Sequence, residues 1–147
     1  MRHRLTRVLP YAPEQLFDLV ADVERYPEFI RWVTHMRTWN RRACADGVSE
    51  FDAEATVKFS LLRERFSTHV RLDRPNLVID VALLSGPFRR LENHWRFRAH
   101  ARGTDLEFEI DFEFGSNFLE ALLAANLDRA VTWLVRAFES RAKALYG

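Results

Sequence analysis

Arg90–Phe114 reads RLENHWRFRAHARGTDLEFEIDFEF, and its two halves carry matching two-residue alternations. Leu91, Trp95, Phe97 and Ala99 share one side of the first half, and Leu106, Phe108, Ile110, Phe112 and Phe114 share one side of the second. Such alternation belongs to strands with one dry and one wet face. Arg102-Gly103 lies between them and suits a tight turn needing positive φ. With that dipeptide as the loop, Phe97 is expected opposite Phe108 and Trp95 opposite Ile110, while Arg98 meets Glu107 and Arg96 meets Glu109. The acids Asp105, Glu107, Glu109, Asp111 and Glu113 then line the wet face. A strand spreads such carboxylates about 7 Å apart, so the reading is a cross-strand charge ladder and not a cation site.

Working outward, the same period recurs at Phe51, Ala53, Ala55, Val57 and Phe59, at Phe66, Thr68, Val70 and Leu72, and at Leu77, Ile79, Val81 and Leu83. About six strands are therefore expected between Trp32 and Phe114. Ahead of them, Arg2 to Leu9 reads as a short strand. Ala12 to Val20 reads as a helix with Pro13 and Glu14 in its first turn and Leu16, Phe17, Leu19 and Val20 on its apolar face. Tyr26-Pro27 ends that helix and reopens a second short turn carrying Phe29 and Ile30. Past Gly115-Ser116, Asn117 and Glu120 have the spacing of a capping box, and a 3.6-residue period runs to the chain end. That predicts one helix of about 30 residues with Leu119, Leu123, Leu127, Ala130, Leu134, Phe138, Ala142 and Leu145 in its stripe, and Leu122 and Trp133 at its edge. So long a stripe needs a concave sheet to cover it. The fold class is α+β, a helix-grip in which a curved antiparallel sheet wraps a long C-terminal helix, with a ligand space between them.

At 147 residues the chain is read as one domain, 1–147. Twenty-two basic against 21 acidic residues leave a net charge of +1, too little for a global phosphate-gathering field, so DNA is not expected as a partner. The lone Cys44 makes no internal disulfide and no Cys-based zinc site, which fits a reducing cytosol. No apolar run of leader length follows Arg2, Arg4 and Arg7, so secretion is not indicated. The apolar stretch from Phe118 to Val135 is broken by Glu120, Asn126, Asp128 and Arg129, and no membrane span is predicted.

Motifs for phosphate loops, dinucleotides, metalloproteases, nucleophile elbows and paired cysteines are absent. Alternation sends His69, His94 and His100 to the wet face and leaves His3 and His35 unassigned. No inward acid is visible, so the expectation is no catalytic residue and no metal site. Aromatic residues are the positive signal: the inward faces concentrate Phe51, Phe59, Phe66, Trp95, Phe97, Phe108, Phe112 and Phe114, as lining or as ordinary core. Two further apolar sites sit where turns are expected. Phe59-Ser60-Leu61-Leu62 joins two strands, and Tyr26 to Trp32 crowds aromatics into a loop and short helix. Tyr26, Phe29, Ile30, Leu61 and Leu62 are read as a membrane-contact patch, with a satellite core as the alternative.

The segments Tyr11 to Phe29, Gly86 to Phe97, Asp111 to Phe114 and Ala137 to Gly147 together resemble the coenzyme Q-binding START-like family, of the polyketide cyclase/START superfamily. Its bacterial members also carry the name ribosome association toxin RatA. The resemblance spans nearly the whole chain and departs at Arg31-Trp32-Val33, where many relatives are expected to carry Pro-Trp-Cys. It implies a START/Bet v 1-like helix-grip that binds ubiquinone in its cavity, with no catalytic cofactor, and that chaperones or carries the quinone for respiration. The residues chosen as ligand-binding are Phe66, Val70, Trp95, Phe97, Phe108 and Phe112 from the sheet, with Leu123, Leu127 and Leu134 from the helix. The partners implied are a polyprenyl quinone and, transiently, a membrane surface, in a cytoplasmic protein peripheral to the inner membrane. Two other readings remain open: a ribosomal-subunit binder of the RatA kind, and a polyketide cyclase or aromatase-like enzyme.

Overall fold

The computed structural model describes residues 1–59, 62–123 and 127–147, with the side chains of 59, 62, 119, 122, 123 and 127 also left undescribed. Seven strands, β1 (Arg2–Leu9), β2 (Val33–Ala45), β3 (Val48–Phe59), β4 (Leu62–Asp73), β5 (Val78–Ser85), β6 (Phe88–His100) and β7 (Gly103–Phe114), form one sheet. Its order is β1-β7-β6-β5-β4-β3-β2 with every pairing antiparallel, so the first strand closes onto the last. Register shifts in β2–β3, in β4–β5 at Ser67/Thr68 and in β6–β7 at Phe88/Arg90 mark bulges. Bulges bend strands and add twist, which lets a sheet curl around a helix.

Between β1 and β2 the chain makes α1 (Pro13–Ala21) and a 3₁₀ turn at Val23–Glu28. Pro13 opens α1, where a missing N–H costs nothing, and the Gln15 side chain accepts from the Ala12 N–H at 3.1 Å. Leu16, Phe17, Leu19 and Val20 are all buried, as their spacing requires. The C-terminal region is helical over α2 (Asn117–Leu123) and α3 (Leu127–Tyr146), and the part of the single expected helix that would join them, residues 124–126, lies outside the described residues. The N-cap also shifts. Asn117 is already helical, and the Glu120 N–H donates to the Ser116 carbonyl at 3.2 Å, which puts the cap one residue earlier. On α3, Val135, Phe138 and Ala142 are buried, while Leu145 and Trp133 are exposed.

The β6–β7 hairpin keeps the expected faces but not the expected register. Trp95 pairs with Phe108, Phe97 with Leu106, Arg96 with Glu107 and Arg98 with Asp105, and His100 pairs with Gly103. The loop is thus Ala101-Arg102, one position earlier than expected, and every cross-strand partner moves by two. A slip of two restores both faces, so alternation is blind to it and the turn must decide. Gly103 decides it: its φ is 131°, and a Cβ there would sit 2.1 Å from the Leu9 carbonyl oxygen. Only glycine allows the β1–α1 connection to pass so close.

On the outer face the charge ladder is present, and β7 receives arginines from both neighbours. Arg2 reaches Glu109 at 3.3 Å and Asp111 at 3.8 Å, Arg4 reaches Glu107 at 3.0 Å, and Arg90 reaches Asp111 at 3.1 Å and Glu113 at 3.3 Å. Glu107 is nearly covered by these side chains, yet it stays on the outer face.

Candidate functional site

Phe138 of α3 is the point where helix and sheet meet. Its ring lies 5.3 Å from Tyr26, 5.3 Å from Phe29 and 5.2 Å from Trp95, each edge-on, the arrangement aromatic quadrupoles favour. Beside it a cavity of about 220 Å³ opens between the helices and the concave face. The α1 end supplies Val20 and the 3₁₀ turn Val23 and Tyr26, followed by Ile30 and Trp32. Strand β2 gives Val33 and Met36, β3 gives Ala53, Ala55 and Val57, and β4 gives Phe66, Thr68 and Val70. Ile79 and Val81 come from β5, Leu91, Asn93 and Trp95 from β6, Phe108 and Ile110 from β7, and Leu134 and Phe138 from α3.

Of the residues expected to bind ligand, Phe66, Val70, Trp95, Phe108 and Leu134 share this wall. Phe97 and Phe112 do not. Phe97 is buried against Phe17 at 5.8 Å and stacks beside Trp95 at 6.4 Å, filling the core under α1. Phe112 belongs to a second cluster with Leu91 and Phe114, where Phe88 packs against it. Both share the inward face of their strand with the cavity residues; the curl of the sheet spreads that face over three environments, which alternation cannot separate. The expectations for Leu123 and Leu127 fall on side chains outside those described.

The membrane-contact expectation is corrected where it can be read. Ile30 is 1 % exposed. Tyr26 and Phe29 pack on each other and on Phe138, and the Arg141 guanidinium lies 5.3 Å from the Phe29 ring. Ile30 is therefore interior, while Tyr26 and Phe29 are half-buried, because the 3₁₀ turn folds back under α1, held by the Tyr26 hydroxyl donating to the Val20 carbonyl. Burial pushes the Tyr26 phenol well above its ordinary range, so it stays a neutral donor. Leu61, and the side chain of Leu62, lie outside the described residues.

Among the described residues no Asp, Glu, Lys, Arg or His lines the cavity, and no three His, Cys, Asp or Glu side chains converge as metal ligands. Its polar groups are neutral: Tyr26, Thr68, Asn93 and the indoles of Trp32 and Trp95. Thr68 is expected on an inward face but not among the ligand-binding residues, and Asn93 is passed over, because each interrupts an apolar inward series, Phe66-x-Thr68-x-Val70 and Leu91-x-Asn93-x-Trp95. Polar residues in such positions are the signal that finds them. Met36, Trp32 and Val23 were missed because neither β2 nor the short turn shows clean periodicity.

The histidines lie elsewhere. His69 sits on the outer face with Nδ1 2.8 Å from Asp52 and Nε2 3.2 Å from Glu50, and those two hydrogen bonds raise its pKa. Glu50 is held at about 2, first by the Cys44 thiol donating at 3.0 Å and then by His69. His94 pairs with Asp80 at 2.6 Å, also on the outer face. His3 takes the inward side of β1, stacked on Phe112 at 6.1 Å with Nδ1 2.8 Å from Asp128, away from the cavity wall. His35 and His100 are exposed.

Comparison with known proteins gives concordant results. The family described as polyketide cyclase / dehydrase and lipid transport matches residues 9–139. Over 141 residues the chain is 35% identical to the ribosome association toxin RatA of Pseudomonas aeruginosa, covering 95% of this chain and 94% of that protein. It is 32% identical over 146 residues to the coenzyme Q-binding protein COQ10 homolog B, mitochondrial, of Xenopus laevis, covering 97% of this chain and 58% of that one. The solution structure of an 18 kDa protein from Caulobacter crescentus superposes with a TM-score of 0.84 at 54% identity, covering 100% of this chain and 99% of the other.

Proposed function

The chain belongs to the polyketide cyclase/dehydrase and lipid transport family, and on that premise we propose that it binds ubiquinone or a similar polyprenyl lipid in its cavity. It acts as a chaperone or carrier that supports respiratory electron transport, from the cytoplasm and at the periphery of the inner membrane. The observation that carries this reading is a cavity walled by aliphatic and aromatic side chains and lacking any ionised group among its described lining. Each CH₂ moved from water into such a space gains about 0.8 kcal/mol. The Xenopus relative, a coenzyme Q-binding protein, supports the ligand class. The cavity favours binding over cyclase or aromatase chemistry, because general acid–base work needs a titratable group within reach of the reacting atoms and the lining places only the up-shifted Tyr26 there. Organic extraction of the protein purified from its own host, followed by mass spectrometry, tests the reading. A polyprenyl quinone retained near one per chain supports it, and an extract without one refutes it.

A second reading, association with a ribosomal subunit, rests on the RatA relatives and on one feature of the outer face. Elsewhere on that face basic residues stand opposite acids, as with Arg37 and Glu54, Arg71 and Asp80, or Arg96 and Glu107. At the far end of β3 and β4, Lys58 stands opposite Arg63, with Arg65 beside them, all exposed. Like charges across a strand pair repel, and a phosphate backbone would relieve them. Replacing Lys58, Arg63 and Arg65 by Glu should abolish co-sedimentation with ribosomal subunits at moderate salt; sedimentation at the wild-type level rejects that surface.

A further inference from the structure

The cavity wall carries two polar side chains with hydrogen-bonding capacity to spare, Asn93 and Thr68. Asn93 lies on β6 with both ends of its amide engaged. Trp95 Nε1 donates to Asn93 Oδ1 at 2.8 Å, and Asn93 Nδ2 donates to the Glu109 carbonyl at 2.9 Å. An indole N–H only donates and a backbone carbonyl only accepts, so the amide has one orientation and a flip would forfeit both bonds. One N–H of Nδ2 is left over. Two strands away on β4, Thr68 is buried, lines the same cavity, and its hydroxyl meets no hydrogen-bond partner among the described residues.

The register fixes how these groups stand to each other. Val70, Val81 and Asn93 form one row across β4, β5 and β6, and Thr68 precedes Val70 by two residues on the same inward face. With nearly 5 Å between neighbouring strands and about 7 Å along β4 from Val70 to Thr68, the backbones at Thr68 and Asn93 are about 12 Å apart, and Val81 flanks the line between them. We propose that Asn93 and Thr68 form a two-point subsite for a neutral, flat head bearing oxygen acceptors on opposite edges, a para-dicarbonyl ring, lying over Val81.

Each donor then satisfies one carbonyl oxygen, and the ring face rests on aliphatic surface. A carboxylate, phosphate or ammonium head would enter a wall without a counter-charge and is disfavoured by its desolvation. A bare hydrocarbon would leave the Thr68 hydroxyl and the spare Asn93 N–H without partners, which costs affinity in the same way. This assignment rests on the quinone-binding reading and adds to it the atoms that recognise the head.

Titration of tryptophan fluorescence with a decyl-substituted benzoquinone, and competition by decylbenzene, which has the tail and ring without the carbonyls, tests it. Wild type, Thr68→Val, Asn93→Leu and the double variant are compared. Each single variant should weaken the benzoquinone by about tenfold, the scale of one buried hydrogen bond. Decylbenzene should bind all four within about twofold, or tighter to Thr68→Val, since the methyl replaces an unpaired hydroxyl. If Asn93→Leu does not fold, Thr68→Val decides alone, because it changes a hydroxyl to a methyl at constant shape. Benzoquinone affinity equal in wild type and Thr68→Val overturns the subsite while leaving the quinone reading standing. Equal losses for both ligands also overturn it. A wild type that binds neither compound overturns the reading and the subsite together.

Discussion

Trp95 stands directly across from Phe108 in the β6–β7 ladder, their rings 4.6 Å apart and tilted, and both reach the cavity. Phe97, two residues on, has the same inward direction and is likewise buried, yet it packs on Phe17 and is not part of the cavity wall. The two aromatics therefore separate core packing from ligand contact. Trp95→Ala and Phe97→Ala should each cost about 3 to 5 kcal/mol of stability in denaturant titrations. Only Trp95→Ala should also lower the lipid retained per folded molecule. Mass spectrometry normalised to the folded fraction checks this, and equal retention in the two variants would remove Trp95 from the ligand wall.

Gly103 marks where the hairpin turns, and its cost of replacement is steric as well as conformational. Gly103→Ala places a methyl 2.1 Å from the Leu9 carbonyl oxygen at a φ of 131°. Strain of this kind costs on the order of 1 to 3 kcal/mol before the β1–α1 connection is displaced. Arg102→Ala, at the exposed loop, should stay within about 0.5 kcal/mol of wild type. Comparing their denaturation midpoints checks the assignment of the turn.

The same hairpin shows how far the sequence could be read. The faces of β3 to β7 follow from hydrophobic alternation, because side-chain direction has a period of two whatever the partner. Pairing register is a separate quantity, set here by the clash that only Gly103 avoids, and that clash involves Leu9 and Tyr11, about a hundred residues away in sequence. The division of one inward face into cavity, core and satellite cluster depends on sheet curl, so Phe97 and Phe112 could not be told from Phe108. Tyr26 and Ile30 looked like exposed loop residues because the return of the 3₁₀ turn is a tertiary event, made by Tyr26 on Val20.

That return depends on one hydroxyl. Tyr26→Phe keeps the ring against Phe138 and removes the donor to the Val20 carbonyl, so stability should fall by about 1 to 3 kcal/mol, the range for leaving a buried acceptor unpaired. Since burial raises the Tyr26 pKa, the phenol should not ionise while the chain is folded. Alkaline difference absorbance near ~295 nm should therefore match between wild type and Tyr26→Phe until unfolding. An extra tyrosinate step in folded wild type would show that the side chain is wetter than the structure has it.

The outer-face histidine supplies a pH dependence whose sign is fixed by geometry. His69 donates from Nδ1 to Asp52 and from Nε2 to Glu50, an arrangement that only the doubly protonated imidazolium satisfies in full. Its folded pKa is raised, with the Asp52 bond the larger cause and the Glu50 bond next, while Asp52 and Glu50 are lowered by hydrogen bonds that include His69. A raised folded value means that the folded state holds the proton more tightly than the unfolded chain. The stabilisation is therefore fully present below the unfolded pKa of about 6.5 and is lost as pH rises through the folded value. His69→Asn keeps a side chain that bonds one carboxylate but carries no charge. Wild type should exceed His69→Asn in stability by more at pH 5.5 than at pH 9, measured by urea denaturation at constant ionic strength. The two curves should converge as pH rises, because neutral imidazole donates to only one of its two acids. A stability gap that is flat between those pH values, or that widens toward pH 9, would show that His69 is held by packing and not by its two carboxylates.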